Sequence, residues 1–250
     1  PPRRACVRRA VPVDPHRARD AACAPDEMNL HIRPLRTGDE PDLRRVFRGT
    51  IALGHPVSHA SGVDAALRPY ERLCLEWYLG PGREHASVLH DDERVVGYAL
   101  VCVDPEGFAR WQRRAAARFT AQVAPRLVLR RYPASIRRFY RLRLRDGWEL
   151  WRHSDDRVAG LPHAHFNATA PGGLPGRLLA DHVDGVVAAA GFESWYGEMN
   201  ARGGRRVAAL GRWGAEIVSR RPNATLSWLT GEPVDRLTVL RHVVARRAAA

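Results

Sequence analysis

Two histidines stand at alternate positions in a short segment, His163-Ala164-His165-Phe166-Asn167. Residues two apart in a strand point to the same face of its sheet, so His163 and His165 would share one face. An imidazole titrates near neutral pH and can take a proton from an amine. The spacing predicts a general base, His165 first and His163 second. A hydrogen-bonded interior or edge histidine explains each of them, taken alone, equally well.

Glu198 is a second kind of candidate base. It follows a segment, residues 192–197, that reads as a strand, and from there it could act through a water molecule. The alternative is a solvated carboxylate at the end of that strand. Asn167 could bind a ligand or close a turn, and Asn200 could contact a ligand or cap a helix.

A glycine-rich turn, Gly172-Gly173-Leu174-Pro175-Gly176-Arg177, precedes a clear helical stripe of apolar residues. Such a turn aims backbone N–H groups at an anion, and the helix N-terminus adds its positive dipole end. Glycines let the backbone approach a phosphate closely, and Arg177 could contact it. The motif predicts a phosphate site; the alternative is a plain turn before a surface helix.

Around these residues the hydrophobic pattern alternates between periods typical of strands and of helices. The order is β-α-α-β-β, an insert, then β-α-β-α-β-β, which predicts an α/β fold around a mixed, mostly antiparallel sheet flanked by helices. The predicted strands cover residues 30–35, 86–90, 94–103, 163–169, 192–197, 215–219 and 224–229, the last two as a closing hairpin. Helical patterns lie within 39–51, 67–77, 178–190 and 205–213.

This order, together with several short motifs, resembles the GNAT (GCN5-related N-acetyltransferase) superfamily. The segments that carry the resemblance are residues 30–47, 94–100, 163–167, 172–179 and 211–215. It covers roughly residues 30–228 apart from an insert at 105–152 between the third and fourth strands, and the acyltransferase domain is expected to span residues 28–234. Residues 1–27 are expected to be a disordered or non-native tail, and 235–250 a C-terminal tail.

The resemblance implies transfer of an acetyl group from acetyl-CoA to an unknown amine by direct attack, without a metal. The implied cofactor contacts are Phe166, Asn167, Ala168, Gly172, Gly173, Gly176, Arg177 and Asn200, with a backbone N–H near 166–168 for the oxyanion. The family's tyrosine acid should fall at Leu210 or Gly211, and neither can donate a proton. Tyr196 could replace it or could pack in the core. A catalytically inactive acyl-CoA-binding or regulatory module is therefore the alternative.

Charge is concentrated in the insert. The chain of 250 residues carries a net charge of +13, and residues 105–152 hold 13 arginines against three acids. The insert could be a substrate lid, a dock for an acidic substrate, a membrane or nucleic-acid surface, or a hairpin whose aromatic side packs on the core or on a partner. Four widely spaced cysteines favour a reducing cytoplasm over a disulfide scaffold. A homodimer and a polyanion-binding role through the insert are left open.

Overall fold

The computed structural model describes residues 29–51, 63–153, 155–170 and 172–243, with the side chains of 63–66 left out. The predicted N-terminal tail, residues 1–27, lies outside these ranges. Within them no helix is both long enough and apolar enough to cross a membrane.

Seven strands form one sheet in the order β1-β2-β3-β4-β5-β7-β6. Every neighbouring pair is antiparallel except β4 and β5, which are parallel. The predicted fold class, a mixed and mostly antiparallel sheet flanked by helices, is confirmed. The strands are β1 Leu30–Pro34, β2 Ala86–Asp91, β3 Arg94–Cys102, β4 His163–Ala168, β5 Ser194–Ala201, β6 Ala215–Pro222 and β7 Asp235–His242.

Helices cover both faces of the sheet. One face packs on the apolar stripe of α5, where Leu179, Val183 and Val187 are fully buried. The opposite face packs on α1 and α2, whose core residues include Phe47 and Tyr78. The helices are α1 Glu40–Thr50, α2 Val63–Leu79, α3 Pro105–Val128, α4 Ala134–Arg152, α5 Leu174–Ala189, α6 Gly203–Arg212 and α7 Ala224–Thr230.

The arginine-rich insert consists of α3 and α4. Pro125 lies inside α3, and the break between the helices falls at residues 129–133, so Pro133 marks it. The aromatic side of the hairpin, including Phe139 and Tyr140, packs with Leu226 and Leu229 of α7. Its arginines largely face outward, as an amphipathic helix on a core requires. The inner side of the insert is therefore part of the protein's core.

The predicted closing hairpin is wrong in its second strand. Residues 224–230 form α7, because Asn223 caps this helix by accepting from Leu226 N at 3.0 Å. The partner of β6 is β7, which also pairs with β5 and lies between them. The C-terminal tail predicted from residue 235 is thus a strand as far as His242, and the domain boundary at 234 falls short.

Candidate functional site

Polar side chains of four neighbouring strands share the sheet face that α1 and α2 cover. The strand register places them there, since residues directly opposite in neighbouring strands project to the same side. His163 of β4 lies opposite Tyr196 of β5, and Glu198 lies opposite Thr238 of β7. The set comprises Tyr98, His163, His165, Asn167, Tyr196, Glu198, Asn200 and Arg236.

His163 is held by aromatic neighbours on three sides. Its Nδ1 lies 2.5 Å from the Tyr78 hydroxyl, and its ring stacks on Phe108 and meets Tyr196 edge-on at 4.9 Å between centroids. Loss of solvation lowers the pKa of His163 to about 4, because burial disfavours the charged imidazolium form. His163 is therefore neutral at pH 7.

His165 lies on the same face, as predicted, and its protonation is fixed by Asn167. The amide nitrogen Nδ2 of Asn167 lies 3.2 Å from His165 Nε2 and donates to the Tyr98 hydroxyl at 2.7 Å. An amide nitrogen can only donate, so Nε2 of His165 is the acceptor nitrogen and Nδ1 carries the proton. Burial, and next His163, lowers the pKa of His165 to about 4. Its one basic lone pair therefore already accepts from Asn167.

Glu198 lies inside β5, and not just beyond it as predicted, because β5 continues to Ala201 through pairing with β7. Its side chain is 37% exposed, and Oε2 lies 3.8 Å from Nη1 of Arg236. Among the polar groups on this face it combines a negative charge with access to solvent.

The sheet opens immediately beside Glu198. β4 and β5 pair only through His163↔Tyr196 and Ala164↔Gly197, so the two strands part after Gly197. A Cβ on Gly197 would lie 2.9 Å from the carbonyl oxygen of Ala164, so the last paired position has room only for glycine. Beyond that point no strand among the described residues pairs with the edge of β4 that faces β5.

The N–H groups along this free edge are those of Phe166 and Ala168. Thr169 N donates to Val96 O on β3, and successive N–H groups of a strand alternate between its two edges. The N–H groups of residues 166 and 168 therefore point into the gap between β4 and β5. The predicted cluster of backbone donors near residues 166–168 is at the position that an oxyanion or an amide-bearing ligand could use.

The glycine-rich turn is placed at the N-terminus of α5, which begins at Leu174. Gly172 has φ +87°, a conformation that glycine adopts without strain. Gly176 packs closely on the Trp213 ring, since a Cβ there would come within 2.9 Å of it. Arg177 is exposed in the first turn. Pro175 contributes no N–H, so this helix end offers fewer donors than an all-glycine turn.

The side chains of the other expected cofactor contacts point in three different directions. Phe166 and Ala168 project their side chains toward α5 and contribute backbone only. Asn167 is turned to the histidine face by its bonds to Tyr98 and His165. Asn200 Oδ1 accepts from Asn223 Nδ2 at 2.8 Å, so its side chain is bound to the start of α7.

No general acid occupies the position of the family's tyrosine. Leu210 is buried in the core beneath α6, and Gly211 is exposed. Tyr196 does face the histidines, but burial and neighbouring Glu198 raise its pKa to about 12. Within the described residues, no group of three or more His, Cys, Asp or Glu is arranged to hold a metal ion.

Sequence reasoning missed Arg143 and Arg236, which approach this face from α4 and β7. Arg143 Nη2 donates to the Tyr70 hydroxyl at 2.5 Å, and the guanidinium lies 4.0 Å above the Tyr70 ring. A signal was present, because Arg143 falls on the apolar stripe of α4 that Ile136, Phe139 and Tyr140 define.

Comparison with known proteins is informative only at the level of structure. No family model and no curated protein matches the chain. The crystal structure of SsHAT is similar, with a TM-score of 0.57, 20% identity, and coverage of 86% of this chain and 98% of that one. At this identity the likeness shows the fold alone, which agrees with the GNAT fold that the sequence resemblance implied.

Two further similar structures have lower scores. A putative acetyltransferase from Salmonella typhimurium, with its cofactor acetyl-CoA, has a TM-score of 0.46 at 12% identity and covers 88% of this chain and 98% of that one. A GNAT phosphinothricin acetyltransferase from Sinorhizobium meliloti, in complex with AcCoA, has a TM-score of 0.47 at 14% identity and covers 89% of this chain and 93% of that one. With TM-scores below 0.5, neither bears on the ligand of this chain.

Proposed function

We propose that this protein is an N-acetyltransferase that moves an acetyl group from acetyl-CoA directly to an amine. The observation that carries the proposal is the parting of β4 and β5 after Gly197, with two backbone N–H groups facing the gap and Glu198 beside it. The SsHAT-like fold and the sequence resemblance to the GNAT superfamily support the same assignment. The acceptor, the cytoplasmic location and a homodimer stay predictions.

Acetyl-CoA supplies the activated acetyl group, and the residues around the gap fit such a donor. The free edge of β4 offers the N–H groups of Phe166 and Ala168 to amide and carbonyl oxygens. The N-terminus of α5, with Gly172 and Gly173 before it, suits an anionic phosphate group at the far end of the same ligand. Arg177, exposed in the first turn, is the cation for that group.

For the base we favour Glu198 over the two histidines. An amine must lose a proton to attack, and Glu198 brings a negative charge, 37% exposed beside the gap, that can attract and deprotonate an ammonium group, whereas His163 Nδ1 lies 2.5 Å from the Tyr78 hydroxyl. His165 has the further disadvantage that its basic nitrogen already faces Asn167. Glu198 can take the proton directly or through one water. The neutral imidazoles of His163 and His165 then line the acceptor site and form hydrogen bonds there.

The leaving group receives little help from this chain. Because the pKa of the Tyr196 hydroxyl is raised to about 12, well above that of an ordinary thiol, this phenol would give up its proton to the thiolate uphill. We therefore assign Tyr196 to packing against His163, and the thiolate is protonated by water after it leaves. Tyr196→Phe should change kcat/KM by only a few fold.

A second candidate function is acyl-CoA binding without turnover. Leu210 and Gly211, at the position of the expected acid, favour it, since loss of a general acid typically costs 10²- to 10⁴-fold in rate. The two functions share the first step, which is donor binding, and differ in the second.

The test is isothermal titration with acetyl-CoA, followed by release of free thiol with a panel of amines. An enzyme should bind acetyl-CoA and release thiol, whereas a binding module should bind acetyl-CoA without releasing thiol. No binding at millimolar acetyl-CoA overturns both proposed functions. Glu198→Gln should lower kcat/KM about 10²- to 10⁴-fold. Glu216→Gln is the matched control, because Glu216 is a half-exposed carboxylate on β6 that pairs with Arg157.

A further inference from the structure

The tip of the insert, residues 126–131, is the last turn of α3 and the start of its connection to α4. Val128 is 80% exposed there and Leu129 is 59% exposed, and arginines flank them on both sides. Of the five large apolar side chains that are exposed in the described part of the chain, four belong to the insert. Exposed apolar side chains that cluster in one element indicate a surface that meets a partner.

The backbone holds the tip in a fixed turn. Arg130 N donates to Leu127 O at 3.2 Å, and Arg131 N donates to Arg126 O at 2.9 Å. This pair of hydrogen bonds is the Schellman pattern that ends many helices. Leu127, inside the turn, is buried in the core. The side chains on either side of Leu127 therefore project from a well-anchored support.

The side chains of this turn reverse its usual arrangement. In a Schellman motif, the residue after the left-handed position often packs an apolar side chain on the last turn of the helix. Here those two positions are Arg131 and Arg126. The left-handed position, which favours glycine, is occupied by Arg130 at φ 51°. The turn thus carries three positive charges where an apolar contact and a glycine would stabilise it better.

The charge of the tip is not neutralised by neighbouring acids. Residues 107–145 contain twelve arginines and no aspartate or glutamate. In the described part of the chain, the arginines of the insert that form ion pairs are Arg110 and Arg143, neither of which lies in the tip. Arg126 Nη1 lies 3.4 Å from the Tyr132 hydroxyl, which is a neutral partner. The tip can therefore attract an anionic surface.

An aliphatic pair surrounded by guanidiniums matches the surface of an anionic lipid bilayer. Acidic headgroups attract arginines, while aliphatic side chains enter the boundary between the headgroups and the acyl chains. A nucleic acid offers phosphates to arginines and base faces to aromatic rings, and it would leave Val128 and Leu129 without a role. The exposed rings that would suit stacked bases, Trp148 and Trp151, lie at the opposite end of α4.

We propose that the tip of the insert binds membranes that contain acidic phospholipids. Val128 and Leu129 enter the interface, and the three arginines of the tip bind headgroup phosphates. This goes beyond the proposed acetyl transfer and does not depend on it. Two aliphatic side chains are too few for permanent anchoring, so binding should be reversible and should weaken as salt screens the charges.

The test is cosedimentation of the full chain with vesicles of phosphatidylcholine alone or mixed with phosphatidylserine. Binding should require phosphatidylserine. Changing Arg126, Arg130 and Arg131 together to glutamine should weaken it about 100-fold, since each arginine near an acidic surface contributes about a fivefold change in affinity. Changing Val128 and Leu129 together to serine should weaken it about 10- to 100-fold.

Matched controls separate the tip from the rest of the surface. Arg68, Arg72 and Arg94 are exposed arginines outside the insert, and changing all three to glutamine alters the net charge by the same amount. Trp151→Ser is the apolar control, because that side chain is 70% exposed at the far end of α4. Both controls should bind vesicles about as well as the unchanged protein.

A single-stranded oligonucleotide, followed by fluorescence anisotropy, distinguishes lipid from nucleic acid. No binding to phosphatidylserine vesicles, or equal binding by the unchanged protein and either set of tip variants, overturns the proposal. Oligonucleotide binding without vesicle binding assigns the tip to nucleic acid and overturns it as well. Thermal unfolding checks that each variant is folded, and the serine variant of Val128 and Leu129 decides the matter if the arginine variant is not. Acetyl-CoA titration should be the same in all variants, because the proposed transfer is a separate property.

Discussion

Asp146 of the insert binds the start of α7, so its replacement should weaken the fold. Its side chain is 8% exposed, and its carboxylate accepts hydrogen bonds from two backbone N–H groups and one hydroxyl at the start of α7. Hydrogen bonds to a charged acceptor contribute about 1.5–3 kcal/mol each, and they are not additive. Asp146→Asn retains one acceptor oxygen and the side-chain volume, so we expect a loss of about 3 kcal/mol in the free energy of unfolding.

Denaturant unfolding followed by tryptophan fluorescence measures this loss. Glu149→Gln on the same helix is the control, because that side chain is 50% exposed and forms a surface ion pair with His153 at 3.5 Å, and it should change stability by less than about 0.5 kcal/mol. Hydrogen exchange gives a local readout, since the amides of Ala224 and Thr225 should lose protection first. A loss below about 1 kcal/mol in Asp146→Asn would refute the view that the insert holds α7 in place.

Two further predictions concern the centre of the sheet. Gly197→Ala puts a Cβ 2.9 Å from the Ala164 carbonyl oxygen, so it should lower the free energy of unfolding by about 1–3 kcal/mol and weaken acetyl-CoA binding measured by titration. Gly185→Ala is the control: it lies on α5 where the space is open, and it should be neutral or stabilising. Because the pKa of His163 and of His165 falls to about 4 on folding, the unfolded chain binds more protons between pH 6.5 and 4. The free energy of unfolding should therefore be highest above pH 6.5 and should fall below it by at most about 1.4 kcal/mol per pH unit for each histidine. Denaturant unfolding curves at pH 7 and pH 5 measure this slope. Replacing both histidines with glutamine should flatten it.

The sequence supported the prediction of those elements whose pattern is local. The strands at 86–91 and 94–102 and the helix at 174–189 have the expected period, and the shared face of His163 and His165 follows from their spacing. Residues 224–229 are apolar enough to suggest a strand. They are a helix because Asp146, far away in sequence, and Asn223 bind its first N–H groups. A local pattern contains no information about such a tertiary cap.

The candidate site was predictable only where it depends on local residue spacing and not on tertiary contacts. Types and spacing found the histidines, Glu198 and the glycine turn. Nothing in the spacing showed that Asn167 would occupy the basic nitrogen of His165, since that contact depends on how β4 presents its side chains to β3. Arg143 was hidden among the insert's many arginines. A charged residue in the apolar phase of an amphipathic helix is the pattern that should direct attention to it.

The position of β7 determines the order in which this chain can assemble on the ribosome. β7 pairs with β5 on one side through eight residue pairs and with β6 on the other through seven. Until residues 235–242 have emerged, both of those strands have an edge without a partner, and unpaired edges invite association between chains. The first four strands can pair early, whereas the half of the sheet that bears Glu198 closes only after β7 has emerged. Substitutions in β7 should therefore reduce the yield of soluble protein before they affect any property of the folded protein.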